Sequence, residues 1–341
     1  MNKLEMKIAV IGSGASGFEC VKRLTGDVLW ISMNDYMTKK WVMPALLMNY
    51  TDSKKNKLTI NIPEYIKNNG MDVNFVIDKV AGIDTRKKEI TAKDGTYDYD
   101  KLVIATGSLP KIPKVEIEDN KKIATFDTFH DFIDAKEKIK NARNIAIVGS
   151  GPIGFELSMR LSARYNVTII EHDHDLLMHM LINHPLYRYI VRKLLELRGV
   201  NIHLSTSACS VREDYLYCRT IEEDEFFIDF DVMIFATGVR QSVPVIDSED
   251  FHKDRVLFCN DYGEAFVHER GGIRKRLKDV YSIGDATCYL TKKNYPASAT
   301  FSEKSAKVAA FNIMRGNKKR IKYHPSLYYR FLDTFLRRLV F

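Results

Sequence analysis

Lys7-Ile8-Ala9-Val10-Ile11 runs into Gly12-Ser13-Gly14-Ala15-Ser16-Gly17, and far along the same chain Asn144-Ile145-Ala146-Ile147-Val148 runs into Gly149-Ser150-Gly151-Pro152-Ile153-Gly154. Each begins as an apolar run without polar alternation, the pattern of a parallel strand buried on both faces. Each then makes a GxGxxG turn and opens an amphipathic segment: Phe18-Glu19 with Arg23-Leu24 about a helical turn later, and Phe155-Glu156 with Arg160-Leu161. One such turn is a weak signal. Two in the same strand, turn and helix setting predict an α/β chain with two parallel-sheet units.

The glycines point to a ligand class. A tight turn without side chains lets backbone N–H groups and a helix start approach a pyrophosphate, and the third glycine lets helix and strand pack closely. Two dinucleotides are therefore expected, one on Gly12, Ser13, Gly14, Ala15, Ser16 and Gly17, the other on Gly149, Gly151, Pro152, Ile153 and Gly154. In the second copy Val167-Thr168-Ile169-Ile170 reads as the next strand, and Glu171 ends it 22 residues after Gly149. A carboxylate there accepts from a ribose 2′-OH and repels a 2′-phosphate, which favours NAD over NADP, although a cationic His172 would soften the preference. In the first copy Val28-Leu29-Trp30-Ile31 places Ser32 at that position, with Asn34 and Asp35 just beyond.

The bulk properties exclude several classes. At 341 residues there is room for two or three domains, and no apolar stretch is long enough to span a bilayer. The N-terminus has no signal-peptide core, so a cytoplasmic enzyme is the expectation. Cys20, Cys209, Cys218, Cys259 and Cys288 are odd in number and widely spaced, without a CxxC pair, which predicts neither a disulfide framework nor a metal site. The net charge of +8 is local: residues 315–341 carry eight Lys or Arg against Asp333 alone. A basic end suggests docking to an anionic surface rather than to nucleic acid.

Two further segments repeat. Asp100-Lys101-Leu102-Val103-Ile104 leads into Ala105-Thr106-Gly107, and Asp231-Val232-Met233-Ile234-Phe235 leads into Ala236-Thr237-Gly238, each about 90 residues after its glycine turn. This makes the two halves internally similar. Pro110, Pro113 and Pro244 mark crossings between domains, and Asp279-Val280-Tyr281-Ser282-Ile283 forms a short strand that stops at Gly284-Asp285.

GxGxxG, ATG, GxGxxG with a terminal Glu, ATG and a strand ending in Gly-Asp is the order that resembles the two-dinucleotide-binding-domain flavoproteins, over about residues 5–315. The resemblance implies two Rossmann-like domains, the NAD domain inserted in the FAD domain. It implies an FAD-binding domain from 1–112 and 241–314, an NAD-binding domain over 113–240 and a basic amphipathic tail at 315–341. By this similarity FAD lies on Gly12 to Gly17 and Ser32, near Thr106, Gly107, Gly284 and Asp285, while NADH lies on Gly149 to Gly154, Glu171 and Gly238. Hydride passes from nicotinamide to flavin in that family. Glu156 matches a carboxylate near the rings, the alternative being a solvated acid at a helix start. The segment from Tyr36 to Pro44 corresponds to the lining of the flavin ring, where Lys40 approaches it or stays exposed.

Departures from the family pattern narrow the reading. Residues 33–50 contain no cysteine where disulfide reductases carry theirs, and only Cys288 matches a cysteine of sulfide:quinone oxidoreductases. The expected activity is therefore NADH oxidation through FAD without a cysteine relay. Type II NADH dehydrogenases and sulfide:quinone oxidoreductase-like members that lack the redox cysteines are closest in layout, yet Lys304 and Ser305 replace their paired glutamines. In the tail, Tyr328, Phe331, Leu332, Phe335, Leu336, Leu339 and Val340 share one side of a helical wheel. That face fits a membrane interface through 322–341, docking on the protein itself, or a homodimer. The acceptor is accordingly a quinone or other membrane-associated carrier, or else oxygen or a ferredoxin- or rubredoxin-like protein. A flavin-holding redox-sensing protein is the reading from another class.

Overall fold

Ile8–Ile11 is a central strand of an eight-stranded sheet in a computed structural model that describes residues 6–119, 121–177, 185–247, 256–268, 274–290, 298–316 and 319–321. From one edge the strands are Cys288–Tyr289, Phe258–Cys259, Glu264–His268, Arg274–Ser282, Lys101–Ile104, Ile8–Ile11, Val28–Ser32 and Asn74–Ile77. The last five run parallel, and Glu264–His268 pairs antiparallel with Arg274–Ser282. Ile8, Ala9, Val10 and Ile11 are all buried, as an apolar run covered on both faces requires. One face packs on the helices Ala15–Val21 and Ala299–Arg315, where Cys20, Val21, Ala306, Ala309 and Ala310 share a core.

The second glycine turn leaves a five-stranded, wholly parallel sheet in the order Ile123–Ala124, Val232–Phe235, Asn144–Val148, Asn166–Ile170, Asn201–His203. Registers in the two sheets match. Ile11 lies opposite Ile31 and Ile104, and Val148 lies opposite Ile170 and Phe235. Each glycine turn therefore leaves the carboxyl edge of its sheet between two neighbouring strands, the position at which open α/β sheets bind ligands.

The acids that precede the two ATG strands have a structural role that the sequence reading did not assign. Asp100 Oδ2 accepts from the Lys7 N–H at 2.8 Å, and Asp231 Oδ2 accepts from the N–H groups of Arg143 and Asn144, each at 2.8 Å. Each carboxylate fastens the entry of the strand that carries its glycine turn. The Asn144 and Arg143 N–H groups hold the Asp231 carboxyl below its ordinary range.

By contact density the described residues divide into two units, one from 6–39, 59–109 and 241–321, the other from 40–58 and 110–240. Residues 40–58 thus group with the second unit, although the sequence reading set them with the first. The reason is an apolar stripe: Met43, Leu47 and Tyr50 recur at helical spacing and with Leu58 are buried in a core shared with Phe132, Phe155 and Leu157. Fully burying a side chain such as Leu58 contributes about 1.5–3 kcal/mol. The tail at 322–341 lies outside the described residues. No helix among the described residues is long and apolar enough to cross a membrane.

Candidate functional site

The turn geometry is built twice. Gly12 has φ +105° and Gly149 φ +98°, and a Cβ on either would overlap the carbonyl of Ala105 or Ala236, the first residue of the ATG segment beside it. A Cβ on Gly17 or Gly154 would overlap the carbonyl of Gly12 or Gly149, so the third glycine closes the turn on its helix. The middle glycines differ. A Cβ on Gly14 meets nothing within 4 Å, and one on Gly151 meets only the Ala236 carbonyl at 3.9 Å. These two face open space, as a backbone must that is to receive a pyrophosphate. The first helical hydrogen bonds run from the Phe18 N–H to the Gly14 carbonyl at 3.0 Å and from the Phe155 N–H to the Gly151 carbonyl at 2.9 Å. The N–H groups of the first helical turn, those of Ala15, Ser16 and Gly17 and of Ile153 and Gly154, have no acceptor within the helix. Both turns thus fit a dinucleotide phosphate.

At the end of the neighbouring strand the two copies part. Glu171 Oε2 accepts from the Ser150 N–H at 2.7 Å and from the Ser150 hydroxyl at 2.6 Å, while Oε1 accepts from the Asp173 N–H at 3.0 Å. The ribose-binding carboxylate expected of the second copy is thereby fixed beside its turn. The His172 ring is exposed, with Nδ1 3.0 Å from the Ser207 hydroxyl. In the first copy the Ser32 hydroxyl donates to the Ser13 hydroxyl at 2.6 Å and accepts from the Asn34 N–H at 3.2 Å.

The ATG segments sit against the turns, but their threonines are committed elsewhere. The Thr106 hydroxyl donates to the Ser242 carbonyl, and the Thr237 hydroxyl donates to the Lys111 carbonyl. The Gly107 and Gly238 carbonyls accept from the N–H groups of Ser242 and Lys111, each at 3.0 Å. Thr106 and Thr237 therefore fasten the chain beside the turns, a role invisible from motif spacing. Gly284 and Asp285 form a short 3₁₀ turn brought to the first copy, since a Cβ on Gly284 would lie 2.5 Å from the Ser16 hydroxyl oxygen. The hydroxyls of Ser108 and Ser302 lie 3.5 Å from the Asp285 carboxylate, and the Ser305 hydroxyl oxygen accepts from the Gly284 N–H at 3.1 Å. Ser305, one of the two residues in place of the glutamines, is a buried strut.

Glu156 and Lys40 both have charged partners. Glu156 lies past the first turn of the helix Pro152–Leu161, its side chain 15% exposed and paired with Arg160 at 3.0 Å, so it is not a solvated acid at a helix start. Lys40 is in the second unit, where its ammonium pairs with the Asp127 carboxylate. That pairing directs the Lys40 ammonium to a carboxylate of its own unit. No His, Cys, Asp and Glu cluster among the described residues is arranged to hold a metal. Burial pushes the Cys20 and Cys218 thiols up to about 12, and Cys288 is exposed with its sulfur accepting from the Gln241 amide at 3.3 Å.

Comparisons with known proteins agree with the fold. NADH-rubredoxin oxidoreductase of Clostridium acetobutylicum is 23% identical over 318 residues, covering 90% of this chain and 74% of that protein. An NADH oxidase of Methanocaldococcus jannaschii is 24% identical over 328 residues, covering 90% and 70%. The crystal structure of a ferredoxin reductase of Rhodopseudomonas palustris has the same fold, with a TM-score of 0.79 at 14% identity, covering 93% of this chain and 78% of that one. The sequence pattern described as pyridine nucleotide-disulphide oxidoreductase matches residues 6–306, and the chain belongs to that family.

Proposed function

We propose that this chain oxidises NADH and passes the electrons to a small external acceptor, foremost a rubredoxin- or ferredoxin-like protein, without a cysteine relay. It is an FAD-dependent NAD(P)H oxidoreductase, and FAD and NAD(H) are its cofactors. The proposed placement puts FAD on Gly12 to Gly17 with Gly284 and Asp285, and NADH on Gly149 to Gly154 with Glu171. The observation that carries the choice of NADH is the Glu171 carboxylate, held by Ser150 and Asp173 where a 2′-phosphate would otherwise lie.

Bound FAD supplies the electronic chemistry, and the protein contributes binding, orientation and electrostatics. The turn N–H groups would hold the phosphates, and Glu171 would hold the ribose of the nicotinamide dinucleotide. With no cysteine in 33–50, the segment from Tyr36 to Pro44 has no thiol to form a disulfide or persulfide. The preference for a protein acceptor is supported by the relative that reduces rubredoxin and by the basic end of the chain, which suits an acidic partner. A quinone acceptor rests on the tail at 322–341 alone.

Anaerobic addition of NADH to the purified flavoprotein tests the reading. Rapid loss of the yellow absorbance with NADH, at least tenfold faster than with NADPH, is expected, followed by recovery on adding a rubredoxin. A flavin that stays oxidised would end the proposal. Recovery with a soluble quinone but not with rubredoxin would transfer the acceptor to the quinone class.

A further inference from the structure

The two glycine turns allow one copy to be read against the other, atom by atom. The Gly12 N–H donates to the Ile31 carbonyl at 2.8 Å and the Gly149 N–H donates to the Ile170 carbonyl at 2.8 Å, which makes Ser32 the positional equivalent of Glu171. Beyond them the Asp78 N–H donates to the Ser32 carbonyl at 2.8 Å, as the Thr206 N–H does to the Glu171 carbonyl at 2.9 Å. Ser13 corresponds to Ser150 and Asn34 to Asp173. Of the groups that surround the carboxylate in the second copy, the first copy has counterparts in the Ser13 hydroxyl and the Asn34 N–H, and there both meet the Ser32 hydroxyl.

We propose that the Ser13–Ser32 hydroxyl pair, with no carboxylate, is this chain's contact to the adenosine ribose of FAD, and that it makes FAD a dissociable cofactor whose retention is set at position 32. This rests on the reading that the first turn holds FAD. Ser32 is 4% exposed, so its bond to Ser13 is shielded, and ribose hydroxyls compete with a neutral hydroxyl pair instead of reaching a charge. Charge-assisted hydrogen bonds are about twice as strong as neutral ones. Among the described residues, the acid that follows the next strand is committed to other donors. The Asp78 carboxylate is 5% exposed and accepts from the N–H groups of Lys79, Lys93 and Asp94 and from the Tyr97 hydroxyl. Asp35 is exposed, three residues beyond Ser32, and is the acid the test must separate from it.

The test is FAD release from the holoenzyme on dilution, read by the fluorescence of free flavin, with thermal melting as the check on folding. Ser32→Glu is expected to lower the FAD dissociation constant about tenfold, because the Ser13 hydroxyl and the Asn34 N–H, which meet the Ser32 hydroxyl, would meet a carboxylate there. Ser32→Ala is expected to raise it several-fold, and Asp35→Asn to leave it unchanged. A folded Ser32→Glu protein that holds FAD no better than wild type overturns the proposal, as does an Asp35→Asn protein that loses FAD more readily than Ser32→Ala. Should Ser32→Glu fail to fold, Ser32→Ala decides: release at the wild-type rate overturns the proposal. A wild-type protein that takes up no FAD overturns the functional reading and this inference together, whereas intact wild-type binding with an inert Ser32→Ala overturns the inference alone.

Discussion

The five cysteines illustrate what environment does to one residue type. Cys20 is fully buried beside the helix Ala299–Arg315, and its thiol is pushed up to about 12 by desolvation. A thiol so raised stays protonated and inert near neutral pH. Cys218 has the same shift from the same cause, and burial drives Cys259 higher still. Cys288 is also raised by burial, but it is exposed to reagent. Iodoacetamide should therefore label Cys288 in the native protein well before Cys20, Cys218 or Cys259, and peptide mass spectrometry would show the order. Early labelling of Cys20 would contradict the packing. Position 32 belongs to this scale too, since a strand that ends in Ser or Glu is equally good local structure. The sequence located the residue, and only the tertiary structure shows that its hydroxyl meets that of Ser13.

Strand, turn and helix together form the proposed binding element, so its predictions concern backbone. Gly149→Ala would set a Cβ 2.6 Å from the Ala236 carbonyl at a φ that side chains rarely adopt. Calorimetry with NAD⁺ should show affinity reduced at least tenfold while flavin absorbance is retained; unchanged affinity would mean that this turn does not bind the nucleotide. Asp231 tests the strand entry. Its carboxyl is held below the ordinary value by the Asn144 and Arg143 N–H groups, so it releases its proton more readily in the folded than in the unfolded chain. The stability it contributes is present above the unfolded value, about pH 4, and is lost as pH falls through the lowered folded value. Asp231→Asn should thus melt below wild type at pH 6, with the gap closing on acidification. A gap independent of pH would assign the loss to something other than the charge. These elements were legible in the sequence because a buried strand, a glycine turn and a helix start are local patterns.

At the scale of the whole molecule, residues 40–58 are the element that the sequence misplaced. They follow the first unit's strands in the chain, yet Met43, Leu47 and Leu58 complete the core around Phe132, Phe155 and Leu157. Under rising denaturant, amides of 43–47 should lose hydrogen-exchange protection together with 157–161. Loss together with 8–11 while 157–161 stays protected would contradict that grouping. The amino-acid order by itself determined the two sheets, the paired glycine turns and the acid of the second one, because each follows from periodicity and from residue types at fixed short spacing. Only the tertiary structure decided where residues 40–58 pack, that Lys40 pairs with Asp127 and Glu156 with Arg160, and that Thr106, Thr237, Asp100 and Asp231 fasten backbone. Most of those contacts join residues about 90 or more positions apart, and a local pattern carries no record of which distant carbonyl, carboxylate or N–H group the fold will bring alongside.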